Sequence, residues 1–563
     1  MNEIDIFDKH YSEWKTTTIS SLENPFSHKL FHKDRFDLDV DNIPIIKDSP
    51  TRNATFLPGI LILEQNRTFG RTPNKKKLYY SCIPNQSQLP IFLVPYEIQL
   101  GFHKNIKNKY VLFRFDHWLP LDKHPYGILV QTIGDVDILP NYYEYRLYTK
   151  NVHPTNLVSK CNKKIKDYLK QTPLTTCIQN ILNNPAGYGH IDIDIDLKKE
   201  KEKEKEKESI FTIDPPGCVD RDDALSIIKT DNPHIFKIRV YIANVWLWIK
   251  LFDLWELLEK TNCSTIYLPD YNRNMLPTEL SENICSLDEG DIPHFTFVME
   301  FEINISEKTV KPILIPEIIT QKGICISKNF DYESKSLLKY SPYRLLLQIT
   351  REIVPDIKDS HELVAYWMMQ MNTSLAKEMY LKKIGIFRTT NSKTEVNVNL
   401  NSSSSFLHIW EHAISGKYIE YSDNNNNFHH QILNVSHYMH FTSPIRRKVD
   451  IYNQFYWMSA YLPISFVDID IDSINEDTKI IRKIQNECTL LHILQQDNSD
   501  SSIDGIVLQM INAGKVLMYL PTFKCILSCK SNNLLELYAT VKCKIYIFER
   551  ESDYKKKIQL CIV

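Results

Sequence analysis

The chain has 563 residues, 67 Lys and Arg against 69 Asp and Glu (a formal net charge of −2), and 43% hydrophobic with 24% charged residues, the balance of a chain that folds around real cores. At roughly 150 residues per domain, that length calls for about three to five domains. The near-zero charge argues at face value against a nucleic-acid partner, and twelve cysteines in 563 residues, only Cys525 and Cys529 close neighbours, exclude a zinc module and a disulfide scaffold.

The N-terminus MNEIDIFDKHYSEWK is polar and acidic and reads as no secretory leader. No apolar run approaches the roughly 18 residues of a membrane-spanning helix. The expectation is a soluble, reduced, intracellular protein, cytoplasmic with a nuclear location left open, with no membrane partner, working as a monomer. Residues 1–55 lack clear periodicity and read as an N-terminal extension. From Phe56 to about Pro140 come β-prone runs at close spacing: GILIL, KKLYYSCI, IFLVPYEI, KYVLFRF and YGILVQTI. Turn-prone pairs at 65–66 and 84–85 separate them, the pattern of small sandwiches or barrels. Two OB-fold barrels of cold-shock type fit, 56–116 and 117–196, meeting near 117–120.

LKKEKEKEKEKE at 197–208 has nothing to bury and reads as a low-complexity linker. The Ser tract at 402–405 and the Asn tract at 424–427 read as loops. Residues 209–495 form one mixed body, strands first and helical after about Ser336, with HELVAYWMMQMNTSLAKEMYLKK a plain helix. After Asp497 the strand period returns in DGIVLQMI, KVLMYL, CILSCK, LELYATV and CKIYIFE, so 501–563 reads as a third OB-like barrel. The fold class expected is multidomain α+β, a mixed-sheet body with helices flanked by OB barrels, two N-terminal and one C-terminal.

Charge by segment revises the bulk sum. Residues 56–190 hold 17 Lys/Arg against 8 Asp/Glu, and 501–563 hold 9 against 5, leaving the rest of the chain a balancing −15. Basic barrels thus flank an acidic body. Basic OB faces bearing aromatics bind single strands through backbone attraction and base stacking.

The densest chemical signal is FTIDPPGCVDRDDALS at 211–226. A strand delivers Asp214 into a Pro-Pro-Gly turn, and Asp220, Asp222 and Asp223 follow within ten residues. Carboxylates this close repel one another unless a cation sits among them. Hard oxygen donors suit Mg²⁺, with Mn²⁺ as its substitute. An EF-hand loop fails, because Leu225 stands where glycine is required and Asp231 where glutamate belongs. A plain acidic turn and a phosphoryl-transfer metal site both stay open from spacing alone. The DIDID stretches at 192–196 and 468–472 read as polar strand faces.

FTIDPPGCVDRDDALS resembles the signature of the RNase II/RNase R (RNB) family of exoribonucleases, in wording most like its eukaryotic, exosome-type branch. Further matches recur in family order: YIANV (241–245), TIYLPDYNRNMLPTELSENICSL (265–287), HELVAYWMMQMNTSLAKEMYLKKIGIFR (361–388) and FHHQILNVSHYMHFTSPIRRKVD (428–450). The resemblance covers about 55–563, and the N-terminal nuclease domain of some eukaryotic relatives has no counterpart. It implies Mg²⁺-dependent hydrolysis of single-stranded RNA from the 3′ end to nucleoside 5′-monophosphates. Asp214, Asp220, Asp222 and Asp223 fall on family aspartate positions and would hold the metal, Asp222 being the one whose loss abolishes turnover.

In HFTSPIRR, Ser443 is a good N-cap and Pro444 a good first residue, so a helix is expected to begin there. Arg446 and Arg447 would then fall in its first turn, where the macrodipole disfavours cations, unless an anionic phosphate offsets the penalty. With the resemblance, Arg446 becomes the phosphate and transition-state contact, and Arg447 an RNA contact beside it. The resemblance also places Tyr267 against the 3′-terminal nucleotide and Glu487 against RNA; read alone, Tyr267 is a core aromatic and Glu487 an exposed helix acid. The second aromatic is open between Phe330 and Tyr332.

Departures from the family pattern are Tyr241 and Asn244 in place of His and Asp, Lys448 for tyrosine, Gln454 and Phe455 for a His-Arg pair, and Thr389–Thr390 after Arg388 where a histidine is usual. None removes an expected metal ligand. They motivate the alternative reading, a catalytically weak or inactive RNB homologue that only binds RNA. A scaffold that keeps the fold alone would not need the four aspartates.

Overall fold

The computed structural model describes the chain except residues 18–23, 65–66, 99–105, 153–155, 185–207, 314–320, 391–415, 424–426, 432, 463–468, 497–501, 513, 524, 532–534 and 548–557. The Lys-Glu run up to 207, the first DIDID stretch, the Ser tract and most of the Asn tract lie outside the described residues. The chain divides into two units. One comprises Met1–His153, Leu268–Asp270 and Lys483–Val563, the other Pro154–Tyr267 and Tyr271–Arg482.

In the first unit, residues 1–55 are no loose extension. They form a four-stranded sheet ordered Trp14–Thr16, Asn2–Ile6, Arg35–Leu38, Pro44–Asp48. Ile4, Ile6, Tyr11, Leu30, Phe31 and Phe36 enter one core with Leu61, Tyr80, Phe92, Val111 and Phe113. Phe31 stacks on Phe92 at 5.7 Å and on Trp118 at 5.1 Å. Each such side chain contributes about 1.5–3 kcal/mol on burial, which holds strands too short and too polar to show a period.

The next sheet has the order Phe92–Tyr96, Leu78–Pro84, Leu57–Leu61, Lys109–Phe115, Gly127–Asp135, and a parallel bridge from Leu93 to Tyr126 brings its two ends together. The boundary expected at 116/117 therefore falls inside one barrel, because Gly127–Asp135 pairs with Lys109–Phe115. The second barrel expected at 117–196 is replaced, among the described residues, by that strand and the helices Leu139–Tyr148, Asn156–Gln171 and Leu174–Asn183. Leu139–Tyr148 buries Tyr142, Tyr143, Tyr145 and Leu147. Its tyrosines, usual in strands, serve here as a helix's buried side.

The C-terminal barrel is closed, in the order Ile503–Asn512, Lys515–Leu520, Cys525–Lys530, Ile558–Ile562, Thr540–Ile547. LELYATV is not one of its strands before Thr540. Tyr538 turns there with φ +65°, and the fifth strand comes from the last residues instead.

The second unit is built on a mixed sheet ordered Thr309–Ile313, His294–Asn304, Ile235–Ala243, Asp223–Lys229, Phe211–Asp214, Lys328–Asp331, with Gln321–Ile324 also pairing His294–Asn304. Phe211–Asp214 runs parallel to Lys328–Asp331, while the other pairs are antiparallel. The helices include Ser341–Ile353, Ser360–Leu381 and Lys448–Ser459. Ser360–Leu381 begins where the Asp359 carboxylate accepts the Glu362 N–H at 2.9 Å, a side-chain cap, and buries Leu363, Trp367, Met371 and Leu375 at helical spacing. The helix Ile471–Gln496 starts in this unit; from Lys483 onward it counts with the first. Among the described residues no helix is long and apolar enough to cross a membrane.

Candidate active site

The signature folds as its residue types dictate. Phe211–Asp214 is a fully buried strand. Pro215 and Pro216 end it, Cys218 N–H closes a turn on the Pro215 carbonyl at 3.0 Å, and Gly217 takes φ +76°, the left-handed region that glycine adopts without a Cβ penalty. The chain returns through Asp220 and Asp222 into the strand Asp223–Lys229. Both strands therefore deliver their carboxylates to one end of the sheet.

Asp222 is 3% exposed, and its carboxylate accepts from Ile445 N–H at 2.8 Å and Arg446 Nε at 2.9 Å. Burial pushes it up to about 7, against the pull of Arg446. Burial likewise lifts Asp214 to about 6 and raises Asp220. Asp223 is held well above the carboxylate range by burial first, then by the charges of Asp214 and Asp222. The Cys218 thiol reaches toward Asp220 at 3.5 Å and Asp214 at 3.9 Å, and burial pushes it up to about 12. Burial raises all four carboxylates and neighbouring carboxylates raise Asp214, Asp222 and Asp223 further, an electrostatic demand for a cation.

The donor set fits a hard dication in kind: carboxylate oxygens, one of them, Asp214 Oδ2, buried with no hydrogen-bond partner among the described residues. Yet among the described residues no three acidic, histidine or cysteine side chains are set to share one ion.

The helix expected from Ser443 begins later, at Lys448, with Arg447 as its extended N-cap. The Ser443 carbonyl accepts the Arg447 N–H at 3.0 Å to close a separate turn. The Asp450 carboxylate accepts the Ser443 N–H at 2.7 Å, which ties turn to helix. The arginines consequently point in different directions. Arg446 lies on Asp222 and Ser443 Oγ, with its side chain 44% exposed. Arg447 turns to Asp450 at 3.0 Å.

Tyr267 ends a two-residue ribbon strand and is 37% exposed, within reach of the charges of Arg446, Asp220 and Asp222. Of the two second-aromatic candidates, Phe330 is buried against Tyr340 at 4.9 Å. Tyr332 feels the charges of Asp223 and Asp214 and stacks on His361 at 3.6 Å. His361 escaped the sequence reading, since a histidine near a helix start carries no signal by itself. In the first unit, Glu487 has both oxygens engaged, by Tyr142 OH at 2.6 Å and Arg146 Nη2 at 2.8 Å.

The departing residues are integrated inside the body. Gln454 donates to the Ala243 carbonyl at 2.8 Å and accepts Trp246 N–H at 3.1 Å. Asn244 caps the helix Val245–Leu251 through Leu247 N–H at 3.0 Å. Lys448 Nζ donates to the Glu259 carbonyl at 3.2 Å and to that of Thr261, and burial lowers it to about 8. Tyr241 is fully buried on Ser226 and Glu208.

The mixed sheet thus brings four aspartates and one arginine together at one end of two strands. The family description "RNB domain" matches residues 202–331. That matched segment takes in the aspartate signature at 211–226. It is 22% identical over 417 residues to the exosome complex exonuclease RRP44 of Homo sapiens, covering 62% of this chain and 41% of that protein. It is 29% identical over 154 residues to ribonuclease R of Thermotoga maritima, covering 27% of this chain and 21% of that protein. The chain thus spans less than half the length of these curated relatives. Apo RNase R of Mycoplasma genitalium shares the fold with a TM-score of 0.64 at 16% identity, each chain covered completely. Yeast Ssd1, described as a pseudonuclease, matches with a TM-score of 0.52 at 14% identity over 89% of this chain and 67% of its own.

Proposed function

We propose that this protein is a divalent-metal-dependent exoribonuclease that hydrolyses single-stranded RNA from its 3′ end to nucleoside 5′-monophosphates. The observation that carries the reading is the half-exposed guanidinium of Arg446, fixed on buried Asp222 beside three further aspartates. Asp214, Asp220, Asp222 and Asp223 would hold Mg²⁺ or Mn²⁺, which when bound would neutralise phosphate oxygens and acidify water. The protein's own part is orientation. Arg446 keeps Nε on Asp222 and presents its solvent side to the scissile phosphate, a fork suited to phosphate oxygens. Tyr267 and the Tyr332–His361 pair offer faces for the terminal bases, and stacking accepts any base. Arg447 holds Asp450 within the second unit, and Glu487 holds Arg146 within the first. The basic segments at 56–190 and 501–563 attract the RNA backbone. RNase R of Mycoplasma genitalium has been solved with ribose-methylated single-stranded RNA, which supports the choice of substrate.

One observation favours the alternative, an RNA-binding homologue without turnover: Asp222 is already committed to Arg446 and Ile445, and no ion-ready triad stands among the described residues. The two readings separate on end-labelled single-stranded RNA with Mg²⁺ or EDTA. Stepwise shortening from the 3′ end, stopped by EDTA and by Asp222→Asn, is expected. Tight binding without shortening would establish the binder. RNA affinity is also expected to fall steeply with salt as released counterions accumulate.

A further inference from the structure

Arg221 is the one cation inside the sequence of aspartates from 220 to 223, and its backbone is clamped from both sides. Its N–H donates to Ser286 Oγ at 3.1 Å, and its carbonyl accepts Leu287 N–H at 3.1 Å. Its side chain is fixed as well. Nη1 donates to Asp288 Oδ1 at 2.6 Å, and Ser286 Oγ donates to the same oxygen at 3.1 Å. With Nη1 pinned on Asp288, Nε stops 3.7 Å from Asp214 Oδ2, close enough for charge attraction and too far for a hydrogen bond. Both of these atoms are buried without a hydrogen-bond partner among the described residues. Two orphaned atoms of opposite charge thus face each other across a gap that the Asp288 anchor keeps open.

That arrangement has a direct electrostatic meaning. The side chains are 20% and 12% exposed, so salt screens the pair only in part. A fixed positive charge at this range repels any second cation approaching Asp214, yet the unmade hydrogen bond leaves Oδ2 free as a ligand oxygen. We infer that Arg221 is a built-in counter-cation that sets how tightly the aspartate cluster holds its divalent ion, with Asp288 keeping the guanidinium back from Asp214 Oδ2. This rests on the reading that the aspartates hold such an ion. Arg221 is here a positioning residue: it acts on the metal through Asp214 and needs no contact with RNA.

Direct Mn²⁺ binding, followed by calorimetry and by the EPR signal of free Mn²⁺, tests this without any nuclease readout. Arg221→Met removes the charge and is expected to tighten Mn²⁺ about tenfold. Arg221→Lys keeps the charge and is expected to stay within about threefold of wild type. Asp288→Asn releases the guanidinium to close on Asp214 and is expected to weaken binding about fivefold. A residue that merely clamps the loop would weaken binding in Arg221→Met and Asp288→Asn alike, and that outcome overturns the inference. So does unchanged affinity in Arg221→Met, or, where circular dichroism shows that variant unfolded, unchanged affinity in Asp288→Asn. Asp214→Asn distinguishes the levels. A wild type that binds no Mn²⁺, or an Asp214→Asn protein that binds it equally well, overturns the metal reading itself. Loss in Asp214→Asn with no response at Arg221 overturns only the role given to Arg221.

Discussion

Asp34 and Asp222 are both buried aspartates joined to an arginine, and they differ in what remains of the arginine. In the first unit, Asp34 is fully buried and meets Arg52 Nη1 at 2.6 Å. Arg52 spends its other donors on the Lys29 carbonyl at 2.7 Å and on Ser49 Oγ at 3.2 Å, and its face lies 4.6 Å from the Phe31 ring and 5.2 Å from Phe115. In the second unit, Asp222 is equally buried, but its partner Arg446 keeps 44% of its side chain in solvent. The first pair is closed on itself. The second has hydrogen-bonding capacity left over, the capacity that the proposed phosphate contact would use.

The largest expected effect breaks the pairs apart by substitution of the acid. Asp222→Asn is expected to lower turnover about 10³-fold with the fold intact, whereas Asp34→Asn is expected to cost about 3 kcal/mol of stability by leaving Arg52 buried and unpaired. Turnover on labelled RNA and urea denaturation of both variants check this. Next comes the arginine: Arg446→Lys replaces a fork with a point charge, for an expected loss of about 10²-fold in turnover at unchanged melting temperature. Arg52→Lys should do the reverse, losing stability and no turnover.

The aromatic surroundings sharpen the contrast. Tyr267→Ala is expected to weaken single-stranded RNA binding about tenfold, the range of one lost base stack, with no change in stability. Phe31→Ala is expected to cost about 3–5 kcal/mol as a core cavity. Fluorescence anisotropy and denaturation separate the two outcomes.

The smallest effect is in pH. Asp214 and Asp222 bind protons up to about 6 and 7 in the folded chain, against 3.8 when unperturbed. Between roughly pH 4 and 7 the native state therefore holds more protons than the unfolded one, and stability falls as pH rises. In EDTA the melting temperature is expected to be a few degrees lower at pH 8 than at pH 5. Asp222→Asn should flatten that slope.

The site was more legible in the sequence than the barrels were. The run from Phe211 to Ser226 is local: strand, Pro-Pro-Gly turn and carboxylates all lie within sixteen residues, so the crowding of carboxylates was visible from spacing, while an acidic turn and a metal site both stayed open. The pairing of Asp222 with Arg446 is not local, and neither spacing nor resemblance placed the two side chains on each other. What defeated periodicity was tertiary burial of sparse apolar residues. Ile4, Ile6 and Phe31 acquire a core only from the neighbouring sheet, and the tyrosines of Leu139–Tyr148 have strand propensity but a helix's burial. The start of the helix after Ser443 slipped to Lys448 because the Asp450 carboxylate accepts the Ser443 N–H, a tertiary tie that no capping rule foresees.

Asp222 and Arg446 lie 224 residues apart in the chain. At about 5–20 residues per second of synthesis, the aspartates leave the ribosome on the order of ten seconds or more before the guanidinium they need. Throughout that interval the acidic loop lacks Arg446, and the Asp222–Arg446 pair forms only after the stretch beyond Arg446 has folded. The distance between two side chains along the chain thus acts as a clock, separating in time the message being read from the centre it encodes.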